Sequence, residues 1–267
     1  MEWYLVVAFL ALGGVVGFLA GLLGIGGGGV MVPVLTALFV GQAFPTEQVV
    51  HLALGTSMAA IVPTALSSLW AHHCKGAVLW NVVQRITPGI LLGTFAGTFL
   101  ASYLSTNSLA IFFACFMAYV ALQMWLGIKP TPHRDVPGMV GLSATGAGIG
   151  GISALVAIGG GTLSVPFLMW CNVNIRQAIA TSSAIGFPIA LAGTVGYVLN
   201  GWQVAGLPPY TLGFVYWPAV VLIAMVSFFT TSLGANLAHS LPVAALKKVF
   251  AVLLVLLSAK MLHSVFA

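Results

Sequence analysis

Residues 24–35 read GIGGGGVMVPVL, and residues 157–168 read AIGGGTLSVPFL. Overlaid, Ile25 falls on Ile158, the glycines at 26–28 on those at 159–161, Val32 on Val165 and Pro33 on Pro166, an offset of 133 residues. Two further blocks recur in the same order. Gly55-Thr56-Ser57 with Pro63 matches Ala180-Thr181-Ser182 with Pro188 at an offset of 125, and Gly97 with Leu100-Ala101 matches Gly234 with Leu237-Ala238 at 137. Matched blocks whose offset drifts by a few residues describe a duplicated unit with loop insertions, here 1–130 and 131–267. In a membrane chain, Gly- and Pro-interrupted apolar segments at corresponding positions of two halves point to a transporter binding site.

Composition places the chain in a bilayer. Hydrophobic residues make up 60% and charged residues 4%, with a mean hydropathy of +1.12, whereas a soluble domain carries roughly a quarter charged residues. Apolar runs of about 20 residues cross a membrane as helices. They occur at 3–23, 49–71, 82–104, 108–128, 137–158, 178–199, 212–237 and 243–266. Two more, 30–40 and 163–170, are too short to cross alone, and each follows its glycine cluster. The expected fold is therefore an all-α polytopic membrane protein of about ten helical pieces. Each half has a long helix, a Gly-rich break, a short half-helix and three further spans. A membrane barrel would alternate polar and apolar residues with a period of two.

The first run has no basic leader and no clear small-residue cleavage site, and reads as a retained span rather than a signal peptide. Cys74, Cys115 and Cys171 are scattered and form no CxxC pair, so they propose neither a disulfide framework nor a thiolate metal site. No P-loop is present for ATP hydrolysis. The expectation is a chain with no cofactor, no metal and no nucleic-acid partner.

Loop charge sets the topology, because cytoplasmic loops collect Lys and Arg. If each long-plus-short opening returns without a net crossing, Lys75, Arg85, Lys129, Arg134, Arg176, Lys247 and Lys248 share one face. Only Lys260, able to snorkel near the end of the chain, dissents. Each half then makes an odd number of passes, so a tandem repeat must be inverted. Both termini fall on the outer face of a cytoplasmic (inner) membrane.

Non-helical backbone inside a bilayer is tolerated only where protein or a water-filled cavity satisfies it. The breaks at Gly26, Gly27, Gly28, Gly29 and at Gly159, Gly160, Gly161, Thr162 answer that description. The helix restarting after each break presents unpaired N–H groups and a positive dipole end. Two such ends around one cavity form an anion site without Lys or Arg. Gly13, Gly17 and Gly21, at four-residue spacing, read instead as helix-packing contacts.

Thr56-Ser57 and Thr181-Ser182 offer neutral hydroxyl donors near the start of the next span. The alternative is that they bond back to their own helical turn. Pro33, Pro63, Pro166 and Pro188 are candidate hinges. His51 either tunes anion entry or caps a helix, and Arg176 reads as a topology charge. His72-His73-Cys74 lacks a carboxylate partner and does not read as a metal site. The acids Glu2, Glu47 and Asp135 all lie outside the spans. A permeating cation would lack the buried carboxylate that cation carriers commonly use, and a small anion is the expected substrate.

GLLGIGGGGVMVPVL (21–35), repeated as ALVAIGGGTLSVPFL (154–168) with ALGTSMAAIVP (53–63) and AIATSSAIGFP (178–188), resembles the sulfite exporter TauE/SafE family, also called the toluene-sulfonate uptake permeases. The likeness covers nearly the whole chain. It implies secondary transport of sulfite, sulfonates, sulfoacetate or related carboxylates, in either direction. The family's Gly-rich regions fall on the glycines at 26–29 and 159–161, and its polar positions on Thr56-Ser57 and Thr181-Ser182. Thr162 stands where the first half has Gly29, so the half-sites are chemically unequal. An anion channel would use the same dipole ends without a closed state, and an accessory subunit would show polar extensions. An enzyme would need a nucleophile–base pair or metal cluster within the spans, and none is evident.

Overall fold

The computed structural model describes residues 2–23, 27–127, 135–237 and 243–266. Ile25, Gly26, Lys129, Arg134 and Ala238, singled out above, lie outside them. The first half contributes α1 (Trp3–Leu23), α2 (Gly28–Gly41), α3 (Val49–Cys74), α4 (Trp80–Tyr103) and α5 (Thr106–Leu126). The second contributes α6 (Met139–Val156), α7 (Gly161–Trp170), α8 (Ile175–Gly201), a small hairpin β1 (Thr211–Leu212) and β2 (Val215–Tyr216), then α9 (Trp217–Leu237) and α10 (Val243–Phe266). Eight helices are long and apolar enough to cross a membrane, and α2 and α7 are the shorter apolar pair. The molecule is an all-α polytopic membrane protein.

Local chemistry sets the helix ends. Ser105 caps α5 by accepting from the Ser108 N–H at 3.2 Å, and Gly127 closes it in the left-handed conformation. Asn174 caps α8 by accepting from the Arg176 N–H at 3.0 Å. One boundary differs from the sequence expectation, which began a span at 212. Residues 211–216 instead pair Thr211 with Tyr216 and Leu212 with Val215. Gly213 between the strands has φ +57°, a backbone that favours glycine and cannot continue a right-handed helix.

The dominant helix pairs come in matched twos. α1 runs along α9 as α4 runs along α6; α2 lies on α3 as α7 lies on α8; and α3 touches α9 as α8 touches α4. α3 with α8, and α5 with α10, complete the pattern across its centre. The correspondence holds residue by residue. Gly13 closes on the Ile223 backbone and Gly17 on Ser227, while Gly146 closes on Ile86 and Gly150 on Ile90. Any Cβ at these four positions would enter the facing helix, as small-residue contacts require in a bilayer where apolar lipid gives helices little hydrophobic reason to associate. α3 occupies the centre, with residues 49–61 buried without exception.

Candidate functional site

The two glycine breaks meet. α6 stops at Val156, and Ala157 and Gly160 beyond it adopt positive φ, +49° and +79°. Gly28, the first residue of α2, sits so tightly on the Ala157 carbonyl that a Cβ there would occupy the same space. Across the second break, the Gly159 carbonyl lies 2.5 Å from where a side chain on Gly186 of α8 would begin. Gly27 packs on Val16, Gly29 on Leu254 and Met117, and Gly160 on Ile185 and Ile189. Pro33 lies inside α2 and Pro166 inside α7. Lacking an N–H, each leaves the carbonyl four residues earlier, Gly29 or Thr162, without its usual donor. Pro63 and Pro188 do the same in α3 and α8.

A cavity of about 40 Å³ reaches the second break, lined by Gly159 and Gly186 with Thr64, Ser68, Ser183 and Thr231. At about 10–15 Å³ per water, it holds some three waters or one small ion. It lies between the C-terminal half of α3, which Lys75 follows, and the N-terminal half of α8, whose first turn carries Arg176.

The Thr-Ser pairs divide their labour. Thr56 accepts a hydrogen bond from the Tyr216 N–H, and Thr181 one from the Leu79 N–H, each at 3.0 Å and each from the opposite half. Both threonines are fully buried. The expectation that they line one shared pocket does not hold. α3 and α8 run antiparallel, with Gly55 beside Tyr197 and Met58 beside Gly193. Thr56 therefore lies opposite about residue 195 of α8, about 14 residues from Thr181, or roughly 21 Å along the pair at 1.5 Å per residue. The serines differ: among the described residues, the buried hydroxyls of Ser57 and Ser182 have no hydrogen-bond partner, nor has that of Thr162. Ser182 shares an α8 stripe with Ile185, Gly186 and Ile189, the side chains and backbone that face the second break.

Tyr216 and Leu79 end two short straps, Gly76-Ala77-Val78-Leu79-Trp80 and Gly213-Phe214-Val215-Tyr216-Trp217, which match at an offset of 137. Both glycines have positive φ, +63° and +57°. The sequence reading missed this fourth block, although Gly-x-Val-x-Trp recurs at the same offset as the third. The straps are not equal. Phe214 and Val215 are buried, Gly55 and Gly201 pack under the second strap, and Gly76 and Leu79 are more open.

His51 is a helix cap beside the second strap. Its Nε2–H donates to the Ala101 carbonyl at 3.0 Å, its Nδ1 is buried without a partner, and its ring lies 5.2 Å from Phe214. Arg176 is exposed in the first turn of α8. His73 packs between the rings of Trp70 and Trp80.

A family model described as Sulfite exporter TauE/SafE matches residues 9–261. A protein named probable membrane transporter protein from Haemophilus influenzae is 39% identical over 94% of this chain and 96% of its own length. One of the same name from Xylella fastidiosa is 33% identical over 70% of this chain and 69% of its own. YunE of Bacillus subtilis, also named a probable membrane transporter protein, is 24% identical over 96% and 97%. No solved structure matches the chain. A break-and-strap architecture repeated in both halves, in a chain matched by the family model over residues 9–261 and by the Haemophilus relative over 94% of its length, identifies it as a membrane transporter belonging to the TauE/SafE sulfite exporter family.

Proposed function

We propose that the chain is a secondary carrier of small anions, sulfur oxyanions or organosulfonates, working by alternating access in the cytoplasmic membrane. One observation carries the reading. The two glycine breaks touch, the hydroxyls of Ser182 and Thr162 are buried at the second break without partners among the described residues, and a cavity reaches that break. Backbone N–H groups at the restarting helices, with neutral hydroxyls, neutralise an anion at low desolvation cost because no competing carboxylate lies in the spans. Gly26, Gly27, Gly28 and Gly29 supply one half of the site, and Gly159, Gly160, Gly161 and Thr162 the other. Ser182 donates to the anion, while Thr56 and Thr181 hold the straps.

In this reading, 1–130 and 131–267 are inverted repeats with both termini outside. The better-packed second strap seals the outer side, and the first strap lies on the open, basic cytoplasmic side. Exchanging the two conformations, with bending at Pro33, Pro63, Pro166 and Pro188, re-exposes the site outward. A channel would need one continuous opening, which the contact of Gly28 with the Ala157 carbonyl interrupts.

The test is thermal stability and radiolabelled uptake with sulfite, sulfoacetate, sulfate and acetate. A specific ligand at a hundred times its Kd stabilises by about 2.7 kcal/mol. Stabilisation by a sulfur anion, lost in the Ser182→Ala protein, is the expected result. A folded protein indifferent to every anion in both assays overturns the reading.

A further inference from the structure

The cavity beside the second break carries two opposite chemistries. The Thr64 hydroxyl donates to the Ile61 carbonyl at 2.7 Å, Ser183 to Ile179 at 3.1 Å and Thr231 to Ser227 at 2.6 Å. A carbonyl only accepts, so each hydroxyl proton is committed to its own helix, leaving the oxygen lone pairs for the cavity. Gly159 adds a backbone carbonyl just beyond the C-terminal end of α6, where the helix dipole is negative. These are acceptors, and they do not suit an anion.

We propose that this cavity binds a small monovalent cation, sodium in the first instance, through the oxygens of Thr64, Ser183, Thr231 and Gly159. A divalent ion is disfavoured because such ions recruit carboxylates, and among the described residues no three His, Cys, Asp or Glu side chains converge. Neutral oxygen ligands leave the charge of a monovalent ion uncompensated, so its binding strengthens when an anion occupies the adjacent α7 N-terminus. The break then holds an ion pair, with unwound carbonyls at one helix end taking the cation and N–H groups at the next taking the anion, a division known from discontinuous helices in carriers. The cavity volume of about 40 Å³ admits one such ion together with about two waters to complete its shell. The coupling role rests on the carrier reading above; cation binding does not.

The experiment uses the purified full-length protein in sodium, potassium and choline chloride at equal ionic strength, read by thermal stability and by radiolabelled sodium binding. Sodium should stabilise saturably where choline does not. Ser183→Ala and Thr231→Val should each raise the sodium half-saturation by at least about tenfold, with unchanged stability in choline. Both variants remove only a back-bond within a helix, so folding should survive. Equal stabilisation by all three salts, or an unaltered sodium response in both folded variants, overturns the site.

Labelled sulfite uptake into proteoliposomes separates the two proposals. Uptake driven by an inward sodium gradient and absent in choline supports coupling. Uptake that is equal in both salts overturns coupling and leaves the anion carrier standing. Intact sodium binding without uptake of any tested anion keeps the cation site and overturns the anion reading.

Discussion

α2 and α7 come from matching sequence and do not occupy matching environments. α2 runs 14 residues, nine of them buried, and packs against both α3 and α10. α7 runs 10 residues with only Gly161, Ser164 and Leu168 buried, and Gly159 in the break before it lines the cavity. Gly29 faces Leu254 and Met117, whereas Thr162 in the equivalent place is a buried hydroxyl without a partner. Under the alternating-access reading proposed above, the two repeats adopt different conformations at any moment, since identical conformations would open or close both sides together. The asymmetry between the two breaks has the form such a state requires.

The hardest way to break the comparison is at the contact between the breaks. Gly28→Leu should abolish folded protein or transport, because the obstacle is the Ala157 backbone and cannot rotate away. Overpacking costs typically about 1–3 kcal/mol and more against a rigid neighbour. Gly29→Ala, which meets only side-chain ends, should cost less than Gly28→Ala when both are ranked by thermal unfolding.

The straps come next. Thr56→Val and Thr181→Val each leave a backbone N–H unpaired, worth about 1–3 kcal/mol when it stays dry. Thr56→Val should be the more damaging, since the second strap is buried and water can reach Leu79 more readily. Equal losses of unfolding temperature would remove the distinction between a sealed and an open strap.

Gly160→Ala should lower stability by about 1–2 kcal/mol through its left-handed φ alone. Gly161→Ala lies in ordinary helix and should not pay that conformational penalty. Smallest on stability, and sharpest on function, are Ser57→Ala and Ser182→Ala. Removing a buried hydroxyl that has no partner should leave unfolding unchanged or raise it by about 1 kcal/mol, while anion flux falls in Ser182→Ala. A loss of stability in both would make these serines structural and weaken the proposed site.

Most of the architecture was legible because a bilayer leaves few choices. Runs of about 20 apolar residues had to be helices, and all ten pieces stand close to where the hydropathy placed them. Packing glycines at 13 and 17 were readable from their spacing alone. The start of α9 was not, because 212–216 is as apolar as a span and only the φ of Gly213 makes it a hairpin.

At the site, the sequence by itself determined that two glycine breaks exist, that they correspond, and that polar Thr-Ser pairs follow them. Periodicity, composition and repetition are properties of the chain and need no coordinates. Only the tertiary structure decided that the breaks touch at Gly28 and Ala157, that Thr56 and Thr181 hold straps from the opposite half, and that Ser57 and Ser182 remain unpartnered. Those facts depend on contacts between residues more than 100 positions apart, where antiparallel packing of α3 on α8 sets which hydroxyl meets which backbone. No local pattern encodes that register.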